Sequence, residues 1–141
     1  MRRLYLLFAF FPISVFAQDL EPVQWTAALE DTASMHSLIL KGSIEPGWYV
    51  YSQFVSDEGP IPTEVVLDEG AELQIGQVHE SGEKRYDGMD EMFGMEIVKY
   101  AGFIQLKQLL KASEGSEISG KVIYMSCNDA MCLPPEEFDF T

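Results

Sequence analysis

This sequence predicts an all-β fold, a sandwich of short strands, on three observations. Apolar and polar residues alternate over short stretches, turn residues such as Pro46-Gly47, Gly59-Pro60 and Ser81-Gly82 separate those stretches, and helical periodicity is scarce. About seven to nine short strands result, as in a sandwich of two packed sheets.

The elements follow in order. Residues 23–27 (VQWTA) alternate weakly, residues 34–44 (SMHSLILKGSI) form a second strand, and residues 48–51 (WYVY) resume after the break at Glu45-Pro46-Gly47. Residues 57–63 (DEGPIPT) contain two prolines and a glycine and read as loop. TEVVLD (63–68) and LQIGQVHE (73–80) read as strands on either side of Glu69-Gly70, with Ser81-Gly82 ending the run. Residues 103–110 admit a helical reading, but Ile97, Lys99 and Ala101 alternate with Val98 and Tyr100. The segment 96–110 therefore reads as two strands with a bend at Gly102. A polar turn at residues 113–116 leads to a strand over 118–125, and residues 137–140 (EFDF) give a last short strand.

Residues 1–17 (MRRLYLLFAFFPISVFA) read as an export signal: Arg2 and Arg3 precede an apolar run, and Ala17 offers a cleavage site. The run is short for a membrane anchor and is interrupted by Pro12, and no later stretch approaches the roughly 20 apolar residues of a spanning helix. No cysteine follows the signal to accept a lipid. The expected mature chain, residues 18–141, is one domain large enough to bury a core without a disulfide. Removing the two leader arginines from nine basic residues leaves seven against twenty-three acidic ones, a net charge of -16. Such a surface argues against nucleic acid and anionic membranes as partners.

Cys127 and Cys132 are the only cysteines, with four residues between them in YMSCNDAMCLPP. A disulfide joining them closes a loop of about six residues and constrains the unfolded chain by only about 2 kcal/mol, little for a staple. Nor can it be the usual immunoglobulin bond, which joins cysteines far apart in sequence. A dithiol at a hairpin tip is well placed for exchange, because a partner thiolate can approach one sulfur while the flanking strands hold the other nearby. Leu133-Pro134-Pro135 stiffens the exit from the loop. Asp129, Glu136 and Glu137 surround the pair and no basic residue is near in sequence, so neither thiol is electrostatically activated and the pair reads as a passive carrier.

Three readings remain open at this point: redox exchange, an inert disulfide in an exported binding module, and a soft Cu(I) site of Met125, Cys127, Met131 and Cys132 with His36 or His79 more distant. A blue-copper site fits poorly, because no histidine follows Cys127. No serine-histidine-acid arrangement, phosphate loop or histidine-rich zinc pattern supports another enzyme class.

Residues 122–135 (VIYMSCNDAMCLPP) combine a strand, two cysteines, an intervening Asp129 and the double proline Pro134-Pro135. With PGWYVY (46–51) and GPIPT (59–63), they make nearly all of residues 20–141 resemble the amino-terminal periplasmic domain of the thiol:disulfide interchange protein DsbD, in its Bacteroidetes-type form. The resemblance implies an immunoglobulin-like β-sandwich without cofactor or bound metal, monomeric and periplasmic. It would take electrons from a thioredoxin-like domain of a membrane relay and pass them to oxidised periplasmic thiol proteins, apocytochrome c among the candidates. It implies that Cys132 forms mixed disulfides and Cys127 resolves them. It further implies a cap loop at Asp90, Glu91, Met92, Phe93 and Gly94, with Phe93 as the shielding ring, and active-site surroundings of Tyr49, Tyr51, Tyr124, Asp129, Pro134 and Pro135. Two departures stand out. The cysteines are one residue closer than in the usual proteobacterial pattern, and Met92 stands where that pattern has phenylalanine. With neither relay nor thioredoxin-like domain in the sequence, the chain is expected to be a stand-alone carrier or a piece of a longer protein.

Overall fold

The computed structural model describes residues 20–32, 35–56, 58–68, 74–111 and 117–141. The predicted leader, the turns at Glu69-Gly70 and 113–116, and Ser34, Asp57 and Leu73 of the predicted segments lie outside them. Nine strands are formed by the described residues: β1 (Val23–Thr32), β2 (Met35–Ile44), β3 (Tyr49–Tyr51), β4 (Glu64–Leu67), β5 (Gln74–Asp90), β6 (Met95–Leu110), β7 (Gly120–Tyr124), β8 (Ser126–Cys127) and β9 (Glu136–Phe140). They make two antiparallel sheets in a curled sandwich. One has the order β1-β2-β6-β3-β8 with β5 on the other edge of β6, and the second has the order β4-β7-β9.

β2 shows how sequence sets a face: Leu38, Leu40, Gly42 and Ile44 point inward at every second position, while Lys41 and Ser43 point out. Gly42 leaves room for the Trp25 ring, which a Cβ there would meet at 3.0 Å. The chain then reverses through Glu45-Pro46-Gly47-Trp48, closed by the Trp48 N–H donating to the Glu45 carbonyl at 3.1 Å. Proline fixes the second position and Gly47 supplies φ +86° at the third, the requirement of a type II turn. That turn delivers β3 beside β6.

β6 is the spine, pairing with β5 along its whole length on one edge and with β2 and then β3 on the other. The expected bend at Gly102 is present, but it does not divide two strands. Lys84 lies opposite Ala101 and Gly82 opposite Ile104, so the ladder continues across a bulge in which Gly102 has φ +76°. The bulge falls where β6 exchanges β2, paired with residues 103–110, for β3, paired with Tyr100 and Lys99.

Ser81-Gly82 likewise fails to end its strand, and β5 runs on to Asp90. Residues 83–87 are exposed and show no apolar alternation, so the pairing is imposed by the β6 ladder and not by burial. Gly82 is needed there for a different reason: a side chain would run into the Tyr100 ring.

The two sheets meet through Trp25, whose ring lies 5.4 Å from that of Tyr124 and 6.4 Å from that of Phe138. Leu38, Leu40, Ile104 and Leu106 of the first sheet pack with Leu67, Val122 and Phe140 of the second in the same cluster. Each fully buried aliphatic side chain contributes about 1.5–3 kcal/mol. Cys127 belongs to a separate, smaller cluster with Tyr51, Ile97 and Met125. The main core therefore does not depend on the disulfide. Urea unfolding should show Ile104→Ala losing about 2–5 kcal/mol, whereas reducing Cys127–Cys132 in the parent should cost about 2 kcal/mol and leave a cooperative transition.

Candidate functional site

The chain changes sheets at Met125. β7 belongs to the second sheet, but β8 crosses to the first, where Cys127 lies opposite Tyr49 and Ser126 opposite Val50. After the cysteine hairpin the chain returns to the second sheet as β9. The hairpin thus closes one end of the sandwich.

Within it, Cys127 and Cys132 are direct antiparallel partners joined by a disulfide, with Cα atoms 4.0 Å apart. The flanking backbone bonds are Asn128 N–H to the Met131 carbonyl and Leu133 N–H to the Ser126 carbonyl, both 2.9 Å. The cysteines therefore occupy a non-hydrogen-bonded rung, where side chains come closest. The Asn128 side-chain oxygen accepts the N–H groups of Ala130 and Met131, each at 2.9 Å. This short polar side chain fixes the two-residue tip Asp129-Ala130 by backbone mimicry.

The sulfurs differ in access. Cys127 is 1% exposed, whereas Cys132 is partly exposed. Over Cys132 lies the β5–β6 turn, and the Met92 thioether sulfur sits 3.4 Å from Cys132 Sγ. With Cys132 in a disulfide and no S–H to donate, this is a contact between soft sulfurs. Phe93, the ring expected at this place, turns inward and packs edge-on to Tyr51 at 5.8 Å, against the cluster that holds Cys127. The residue touching the more accessible sulfur, Cys132 Sγ, is thus Met92.

Asp90 builds that turn. Its carbonyl accepts the Gly94 N–H at 2.7 Å, with Gly94 at φ +66°. Its carboxylate accepts the N–H groups of Met92 at 3.0 Å and Phe93 at 3.4 Å, and Lys99 donates to the other oxygen at 2.7 Å. Burial raises the Asp90 pKa, but Lys99 and the two backbone donors more than offset it, leaving the carboxyl below its ordinary range. Glu91, exposed beside it, makes the turn more acidic.

Lys99 is the residue sequence reading missed. It lies on β6 between Tyr51 of β3 and Tyr86 of β5, and its ammonium sits 4.5 Å from the centroid of Tyr49, itself edge-on to Tyr86 at 5.6 Å. Its charge is engaged by Asp90, so the local balance stays acidic. Burial, with Asp90 adding to it, pushes the Tyr51 hydroxyl well above the usual tyrosine range, and burial with Glu136 does the same for Tyr124. Both stay protonated at neutral pH and cannot serve as bases there.

A groove of about 350 Å³ separates the turn from the hairpin, lined by residues including Tyr49, Met89, Met92, Lys99 and Asp129. Pro134 and Pro135 are exposed beyond the hairpin and lead into β9, while Tyr124 faces Trp25 in the main core, away from the groove. For the Cu(I) reading, Met125 is buried beneath the disulfide while Met131 points outward. His36 and His79 pair with the Leu110 and Lys107 end of β6, remote from the cysteines in the ladder. Among the described residues no group of three or more His, Cys, Asp or Glu is placed to hold a metal.

Because the folded-state pKa of Asp90 is depressed, the turn's stabilisation is fully present above the ordinary carboxylate pKa, about 3.9. It is lost as pH falls through the lower folded value. Hydrogen exchange at the Met92 and Phe93 amides, referenced to intrinsic rates, should show constant protection from neutral pH down to about pH 5. Protection should fall in stronger acid, and in Asp90→Asn it should already be weakened at neutral pH.

The family model described as "Thiol:disulfide interchange protein DsbD, N-terminal" matches residues 17–141. Among curated proteins none matches the chain. The reduced DsbD amino-terminal domain of Neisseria meningitidis superposes with a TM-score of 0.59 at 22% identity, over 86% of each chain. The amino-terminal periplasmic domain of ScsB from Proteus mirabilis gives 0.61 at 13% identity, over 89% of this chain and 47% of that one, so this chain spans about half its length. A structure of the complex between the DsbD and PilB amino-terminal domains of Neisseria meningitidis gives 0.54 at 19% identity, over 82% and 80%. At these identities the shared property is the fold.

Proposed function

This chain belongs to the family of DsbD amino-terminal domains, and from that membership we propose how its two cysteines divide the work of thiol–disulfide exchange. The domain is an electron carrier that acts through one disulfide, not an enzyme with a substrate pocket. The observation that carries the assignment is the difference in access: Cys132 is partly exposed beneath Met92, whereas Cys127 is buried against Tyr51, Ile97 and Met125.

In the reductive half-cycle a thiolate of a thioredoxin-like partner attacks Cys132 Sγ. The Cys127–Cys132 bond breaks, its electron pair leaves on Cys127, which takes up a proton, and a mixed disulfide joins the partner to Cys132. The partner's second thiolate then attacks its own sulfur in that mixed disulfide, releasing Cys132 and leaving the partner oxidised. In the second half-cycle Cys132 attacks the disulfide of an oxidised periplasmic protein, and Cys127 closes on Cys132 to release the reduced client. Two electrons and two protons are carried per cycle. The acidic surroundings do not favour a free thiolate, so the partner supplies the activated nucleophile in the first step. The turn from Asp90 to Gly94 acts as a cap that a partner must displace, with Met92 as its shielding side chain and Tyr49, Tyr51 and Asp129 bordering the approach.

Incubated with a reduced thioredoxin-like protein whose resolving cysteine is removed, the parent domain should form a mixed disulfide at Cys132. Both single variants lack the disulfide and are challenged instead with an oxidised partner: Cys132→Ala should form no mixed disulfide, whereas Cys127→Ala should retain one that its missing neighbour cannot resolve. Equal trapping through either cysteine would refute the assignment.

Residues 1–17 serve as the export signal in this reading, and residues 18–141 work as a monomeric domain in the periplasm. Intact mass of the protein recovered from a periplasmic fraction should correspond to a chain starting at Gln18; retention of the leader would contradict it.

A further inference from the structure

We infer that Met92 is an oxidant-sensitive site: two-electron oxidation of its thioether by a peroxide opens the disulfide to thiols. The inference rests on the reading of the Asp90 to Gly94 turn as a cap and adds a chemical input to it.

The described methionines divide into two kinds. Met125 is buried and Met95 is half-buried against the small cluster. By contrast Met35, at the start of β2, is 39% exposed, Met89 is 67% exposed, and Met92 and Met131 are each 47% exposed. Met89 and Met92 line the groove and Met131 adjoins Cys132, so three of these four accessible thioethers gather around the disulfide. Of these, Met92 has its sulfur 3.4 Å from Cys132 Sγ.

In the reaction the thioether donates an electron pair to one peroxide oxygen. The O–O bond breaks, an S–O bond forms, and the second oxygen leaves as water when the peroxide is hydrogen peroxide. Sulfur is oxidised by two electrons and the peroxide is reduced by two. The product is a polar sulfoxide in place of a flexible apolar side chain. Such a group loses its favourable packing on the disulfide and gains by turning into the open groove beside it. The turn itself does not depend on the Met92 side chain, since Asp90, Lys99 and Gly94 hold it through bonds to carboxylate and backbone. Oxidation therefore moves one side chain and leaves the fold in place. Leucine or phenylalanine at this position carries no thioether and would not respond.

The test uses the domain in its disulfide form, treated with dilute hydrogen peroxide and then freed of it, with peptide mass mapping of every methionine. The rate of disulfide reduction by glutathione is then measured. The parent should form Met92 sulfoxide and react faster, on the order of 2- to 10-fold, as expected from losing one soft sulfur contact. Met92→Leu, in which Met35, Met89 and Met131 can still oxidise, should show no acceleration, and treatment of the parent with both methionine sulfoxide reductases, one for each epimer, followed by removal of reductant and re-formation of the disulfide, should return it to its original rate. Met92 sulfoxide without acceleration, or acceleration that persists in Met92→Leu, overturns the inference. Where the inference fails in this way, untreated Met92→Ala separates the two readings: if it is fast, the cap stands and only its oxidation response falls; if it matches the parent, the cap reading falls as well.

Discussion

Everything at the reactive end of this molecule hangs on the continuous ladder between β5 and β6. β6 serves β2 with one half and β3 with the other, and the Gly102 bulge lets one strand do both. Straightening that bulge would move every residue beyond it to the opposite face, because side chains alternate with a period of two. Ile97 would leave the small cluster and Lys99 would leave the groove. The same ladder carries the turn that lies over Cys132, so that turn is an extension of the sheet and not a free loop.

The two clusters have separable roles. The larger one, around Trp25, Leu40, Ile104 and Val122, joins the sheets and holds the molecule together. The smaller one, around Tyr51, Ile97, Met125 and Cys127, forms a floor under the disulfide. Because this floor buries one sulfur and leaves the other near the surface, the two cysteines are chemically unequal although they are direct partners in the same hairpin.

Much of this was legible in the sequence. Alternation in β2, the proline-glycine turn before β3 and the cysteine hairpin are local signals, and each appears where the residues place it. What escaped was non-local. The outer half of β5 is polar on both faces, and only its neighbour makes it a strand. Lys99 sits in an unremarkable alternating segment, and nothing near it in sequence announces the Asp90 it pairs with. At Met92 and Phe93 the sequence shows a sulfur and a ring side by side, but which one points out depends on the turn geometry set by Asp90 and Gly94. The larger, more apolar ring faces Tyr51 and the thioether is left over the disulfide, as burial favours.

The cysteine hairpin is held by two backbone bonds and by Asn128, none of which involves sulfur. None of these restraints runs through the S–S bond, so cleaving it is expected to leave the two thiols neighbours at a high effective concentration, with little conformational entropy to lose on closing again. Repeated turnover then requires no refolding, and delivery of electrons becomes a matter of encounter and fit between surfaces.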